Sequence, residues 1–189
     1  DMVRHTAAVR RSQPNCLLVA VLPFGEASFS FDRLLESARR LMQEGGADAV
    51  KIEGGRDVAD DVEKLVATGV PVLGHLGLLP QTVKAIGGYR PFGAESQEAE
   101  DLYTDAIALE EAGCFAVIAE MMEENVAREI SRQILPPLVG IGSGAGWLRG
   151  GGDSLDAATP QGQPPPYGQP PTALHSPQPP PQPPSQPPP

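Results

Sequence analysis

The stretch DAVKIEGGRDVADDVEKLVATGVPVLGHLG (Asp48–Gly77) decides the fold. It opens on a short apolar run, DAVKI (Asp48–Ile52), closed by Gly54-Gly55. A helical pattern follows over Val58–Thr68, with Val62, Leu65 and Val66 on one face and Gly69 as the stop. A second apolar run, VPVLGHLG (Val70–Gly77), completes the unit. Short, nearly continuous apolar runs closed by Gly or Pro are the mark of strands covered on both faces. Strand, helix and strand within about 30 residues make a βαβ unit.

The same beat runs outward in both directions. CLLVAVLPF (Cys16–Phe24) precedes it, and CFAVIAE (Cys114–Glu120) and PLVGIG (Pro137–Gly142) follow. Between them the spacing predicts helices over Phe31–Glu44, with Ser30 as N-cap, over Ser96–Ala112 and over Asn125–Ile134. Pro80–Ile86 reads as a short helix with proline at its start. This alternation, five times over, predicts a parallel α/β fold. A doubly wound sheet and a barrel both satisfy it.

Composition changes after Gly146. Most of the 22 prolines lie beyond that point, among Gln, Gly and Ser, with few large apolar residues to offset the entropy of ordering. We expect a folded unit over residues 1–146 and a disordered, proline-rich tail over residues 147–189. The tail contains PPPY (Pro164–Tyr167), which matches the short pattern bound by WW domains, and PxxP repeats of the kind bound by SH3 domains.

The net charge of −10 is spread over helix positions, and no stripe of Lys and Arg forms, which argues against a nucleic-acid partner. The two cysteines, Cys16 and Cys114, are far apart and form no CxxC pair, so a reducing, intracellular setting is expected. No apolar run approaches the ~20 residues of a membrane span.

Chemistry in parallel α/β folds gathers at the C-terminal ends of strands. There the chain carries Lys51 and Glu53, pointed to one side by alternation, then His75 between Gly74 and Gly77, then Glu120, then a glycine run over Gly140–Gly146. The glycines around His75 suggest a backbone that comes close to a ligand. Each residue alone has an ordinary structural explanation. Together, one Lys, one His and two Glu at a common rim suit chemistry on a small oxo acid. Lys would hold an anion, one carboxylate would serve a metal shell, and the other would take a proton.

VKIEGG (Val50–Gly55), GVPVLGHLGLLPQ (Gly69–Gln81), GGYRPFG (Gly87–Gly93) and GIGSGAG (Gly140–Gly146) are similar to the signature segments of ketopantoate hydroxymethyltransferases, also called 3-methyl-2-oxobutanoate hydroxymethyltransferases. HTAAVRR (His5–Arg11) and LPF (Leu22–Phe24) fit the same pattern. The resemblance runs in unbroken order from about Met2 to Gly146.

It implies a TIM (β/α)8 barrel, of which this chain carries about five βα units, and a homo-oligomer. It implies hydroxymethyl transfer from 5,10-methylenetetrahydrofolate to 3-methyl-2-oxobutanoate, giving ketopantoate for pantothenate and coenzyme A synthesis, with Mg²⁺ polarising the oxo acid. Lys51 and His75 would bind substrate, Glu53 would lie in or just outside the metal shell, and Glu120 would be the catalytic proton-transfer residue. The compartment implied is cytoplasmic or mitochondrial.

Four departures bear on activity. Val21 stands where the resemblance expects a metal-binding aspartate, and Met121-Met122-Glu123 follows Glu120 in place of Cys-Val-Pro. A further N-terminal region, with a second metal aspartate and a substrate-binding serine, is expected to precede this chain. The residues past Gly146 do not continue the barrel pattern. The chain alone is therefore expected to show little or no turnover. The alternative is a catalytically dead relative whose tail binds WW or SH3 domains. A third reading is another oxo-acid lyase or aldolase on the same barrel.

Overall fold

The computed structural model describes residues 1–144. Five helices and five strands alternate there: α1 (Met2–Arg11), β1 (Val19–Val21), α2 (Phe31–Gln43), β2 (Ala49–Lys51), α3 (Arg56–Ala67), β3 (Val72–Gly77), α4 (Ser96–Glu111), β4 (Ala116–Glu120), α5 (Glu124–Gln133) and β5 (Leu138–Ile141). The PPPY segment and the expected tail lie outside the described residues.

All strand pairs are parallel, and the sheet order is β1-β2-β3-β4-β5. This order separates the two folds that the alternation left open. A doubly wound sheet reverses its strand order at a switch point, whereas a (β/α) barrel adds each strand beside the last. The strict sequential order here is that of an arc of a barrel.

Local chemistry explains the helices. Ser30 Oγ accepts a hydrogen bond from the Arg33 amide at 3.4 Å and opens α2, which buries Leu34, Ala38 and Leu41 at i, i+4 and i+7. Helix α3 buries Val58, Val62 and Leu65, and Asp57 Oδ1 accepts from the Gly55 amide at its start. Helix α4 buries Leu102, Ala106 and Leu109, and Gly113 turns the chain away at φ +89°. Helix α5 buries Val126, Ala127 and Ile130.

These faces cover one side of the sheet. Ala20, Val50, Val72, Leu76, Val117, Ala119 and Leu138 join them in one continuous core. Each large side chain fully buried there is worth about 1.5–3 kcal/mol. The intervening residues, Val21, Lys51, Leu73, His75, Ile118 and Glu120, belong to the opposite, inner face by period-two alternation.

Pro80–Ile86 is not a helix but a chain of turns, in which the amides of Thr82, Ala85 and Gly88 donate hydrogen bonds to the carbonyls of Leu79, Thr82 and Val83. The six residues between Pro80 and Gly87-Gly88 do not propagate a helix past its costly first turn. The first strand is also shorter than its apolar run, spanning only Val19–Val21 of Cys16–Phe24.

Candidate functional site

The site lies at the C-terminal rim of β2, β3 and β4, on the inner face. Register places Lys51 between Val21 on one side and Leu73 on the other. One layer further along β3 stands His75, beside Ile118, and at the end of the ladder Gly77 pairs with Glu120. The polar residues therefore occupy successive layers of one face, with apolar neighbours below them.

Lys51 and Glu53 do point to one side, as alternation requires. Lys51 Nζ lies 4.0 Å from Glu53 Oε1, and their side chains are 14% and 6% exposed. Burial pushes the Lys51 pKa below its ordinary value, while the charges of Glu53 and Glu120 oppose that shift. The other oxygen of Glu53 accepts a hydrogen bond from the Gln81 amide at 2.9 Å.

His75 is fully buried, and its Nε2 lies 3.2 Å from Glu120 Oε2. Neither ring nitrogen has a hydrogen-bond partner among the described residues, so the approach of Glu120 is out of line for a hydrogen bond. Leaving a buried polar group unpaired costs about 1–3 kcal/mol. This imidazole lies beneath the rim, with Glu120 above it. Glu120, with Lys51 close enough to feel its charge, combines a carboxylate, an imidazole and an ammonium at one rim.

The glycines beside His75 are required by packing. A Cβ on Gly74 would meet Leu109 Cδ1 at 2.8 Å on the helix side of the sheet, so Gly74 permits close packing of α4. Gly77, at φ +84°, would direct a Cβ into the Glu120 carbonyl oxygen, so it permits the tight pairing at the end of β3 and β4.

Two residues with no role foreseen from the sequence support the rim. Gln81 closes the β3–α4 turn segment over Glu53 and donates its Nε2–H to the Leu22 carbonyl at 2.9 Å, tying the ends of β1, β2 and β3 together. Ser143 is buried in the glycine run after β5. Its hydroxyl donates to the Ala119 carbonyl at 2.8 Å and accepts from the Met122 amide at 2.9 Å. It thereby brackets the peptide that carries Glu120 and Met121, and Met121 adopts φ +47°. The only sequence signal for these two was a polar side chain inside an otherwise apolar or glycine-rich segment. Of the glycine run, Gly140–Gly144 falls within the described residues and Ala145-Gly146 outside them.

The donor set does not fit Mg²⁺. Among the described residues no group of three or more His, Cys, Asp and Glu side chains is placed to hold a metal ion. Glu53 is engaged by Gln81 and Lys51, and Val21, beside Lys51, presents hydrocarbon. Mg²⁺ requires near-octahedral oxygen ligation, with one or two carboxylates from the protein. No described helix is long and apolar enough to cross a membrane.

Known proteins resemble this chain over most of the described region. The profile of the family described as ketopantoate hydroxymethyltransferase matches residues 1–148. A 3-methyl-2-oxobutanoate hydroxymethyltransferase of Shouchella clausii is 48% identical over 145 residues, covering 77% of this chain and 52% of that protein. One from Thermobifida fusca is 51% identical over 144 residues, covering 76% and 51%. The chain spans about half the length of the curated relatives it matches. Among solved structures, a 2,3-dimethylmalate lyase of the PEP mutase/isocitrate lyase superfamily superposes with a TM-score of 0.50 at 13% identity, covering 73% of this chain and 49% of that one. That likeness is one of fold.

Proposed function

This chain belongs to the ketopantoate hydroxymethyltransferase family, and we propose that its rim takes part in transferring a hydroxymethyl group from 5,10-methylenetetrahydrofolate to 3-methyl-2-oxobutanoate, giving ketopantoate. The observation that carries this reading is the convergence of Lys51, His75 and Glu120 on one inner-face rim. Lys51 holds the carboxylate of the oxo acid. Glu120 removes the proton from the carbon next to the keto group, and the buried imidazole of His75 backs it, 3.2 Å from its carboxylate. Glu53 acts by holding Lys51. The rest of the barrel supplies the folate site and the remaining substrate contacts, and the whole enzyme is a homo-oligomer of the cytoplasm or the mitochondrion.

Proton removal needs only groups on this rim, whereas transfer needs the complete barrel. The chain is therefore expected to bind 3-methyl-2-oxobutanoate and to exchange its C3 proton slowly, with little or no ketopantoate formed. The test is loss of the C3–H signal in D₂O, followed by proton NMR. Replacing Glu120 with Gln is expected to slow that exchange by about 100-fold or more, the usual weight of a positioned general base. Equal exchange in both proteins would sink the assignment.

A further inference from the structure

We propose that Val21 makes this a site where the Lys51 ammonium, and not a divalent cation, answers the substrate carboxylate, and that residue 21 is the switch between the two. The inference rests on the oxo-acid reading above and adds to it the kind of cation the rim presents.

Val21 is the last residue of β1 and the register partner of Lys51. Its neighbours Ala20 and Leu22 both belong to the helix-side core, so Val21 faces inward with Lys51. A branched hydrocarbon there offers no lone pair to a hard cation. It also borders the lysine stem with apolar surface.

Both oxygens of the carboxylate nearest residue 21 are already occupied by protein groups. Glu53 is 6% exposed, and the buried cation near it is Lys51, 4.0 Å away. Its second oxygen is fixed by the Gln81 amide, and Gln81 is itself anchored to Leu22, the residue after Val21. A divalent ion entering between Val21 and Glu53 would meet the Glu53 carboxylate, the Lys51 ammonium and a valine, with the Glu120 carboxylate on the far side of Lys51, beside His75. An added carboxylate at residue 21 would put an oxygen donor on the β1 side of Lys51, opposite Glu53, and add an anion to the rim, which favours a cation.

Mn²⁺ titration of the full chain, read as the EPR signal of the free ion, tests this directly. The unaltered chain is expected to leave Mn²⁺ free at millimolar concentration. Val21→Asp is expected to tighten Mn²⁺ binding by at least about tenfold, the step equal to ~1.4 kcal/mol, and adding Glu53→Gln should erase the gain. Stoichiometric Mn²⁺ binding by the unaltered chain that Glu53→Gln abolishes would overturn the proposal, and that arm does not depend on whether Val21→Asp folds. Binding of 3-methyl-2-oxobutanoate, followed by saturation-transfer NMR, should survive EDTA and be lost in Lys51→Met. Loss with EDTA also overturns it. If the oxo acid does not bind at all, the substrate reading fails, while the Mn²⁺ titration still decides which cation the rim accepts.

Discussion

The two faces of the single sheet carry opposite duties. On the helix side, Val50, Val72, Leu76, Val117 and Leu138 pack against α2–α5 and are nearly or fully buried. On the inner side the same strands carry Lys51, His75 and Glu120, with half-buried Val21 and Leu73 beside them. Adjacent residues on one strand thus fill the core and line the proposed site in turn. The difference follows from the pleat: each residue faces opposite to the last, so a chain can fill a core with one set of positions and leave the other set for polar groups. Substitutions on one face should therefore change folding, and those on the other should change binding.

The comparison breaks if the helix-side core is not what holds the sheet. Leu109 is fully buried in α4 and would sit against any Cβ added at Gly74. Leu109→Ala is expected to lower unfolding free energy by about 2–5 kcal/mol in a urea titration. A loss below 1 kcal/mol would show that α4 packs loosely.

Gly77→Ala probes the point where the two duties meet. Positive φ and a collision with the Glu120 carbonyl should together cost about 1–3 kcal/mol. The same unfolding measurement checks this, and an unchanged midpoint would return the glycine to a ligand-facing role.

An electrostatic contrast is smaller. Glu26, ahead of α2, accepts two hydrogen bonds from the Arg33 guanidinium and one from Ser37, which hold its pKa at about 2 in place of 4.5. A depressed carboxylate pKa contributes stability that is present above the unfolded value and lost as pH falls toward the folded one. Glu26→Gln should therefore cost about 1 kcal/mol at neutral pH, since Arg33 is half exposed. The difference from the unaltered chain should vanish as pH falls from 4.5 to about 2, followed by circular dichroism.

Smallest of all should be the effect of Glu120→Gln on stability, within about 1 kcal/mol, because no hydrogen bond of its side chain to a described group is broken. A large loss would mean that the carboxylate supports the fold, and would blur the division between the faces.

Much of this was legible in the residues because local rules govern it. Short apolar runs mark all five strands, four of them closed by Gly or Pro, and Leu34, Ala38 and Leu41 mark a helix whose cap is Ser30. The common direction of Lys51 and Glu53 follows from alternation. The turns over Pro80–Ile86 were not legible, because proline at the start and glycines at the end are compatible with a short helix and with a run of turns alike. Nor were the roles of Gly74 and Gly77, which depend on what lies across the strand.

By itself the sequence determined the alternation of elements, the segments shared with one family, and the identities of Lys51, Glu53, His75 and Glu120. Tertiary structure alone decided that the sheet order is sequential, that His75 is buried with unpartnered nitrogens beside Glu120, and that Gln81 and Ser143 brace the rim. The physical reason is range. Period and capping act within a turn or a strand, whereas strand order, register and the hydrogen bonds of a rim join residues tens of positions apart.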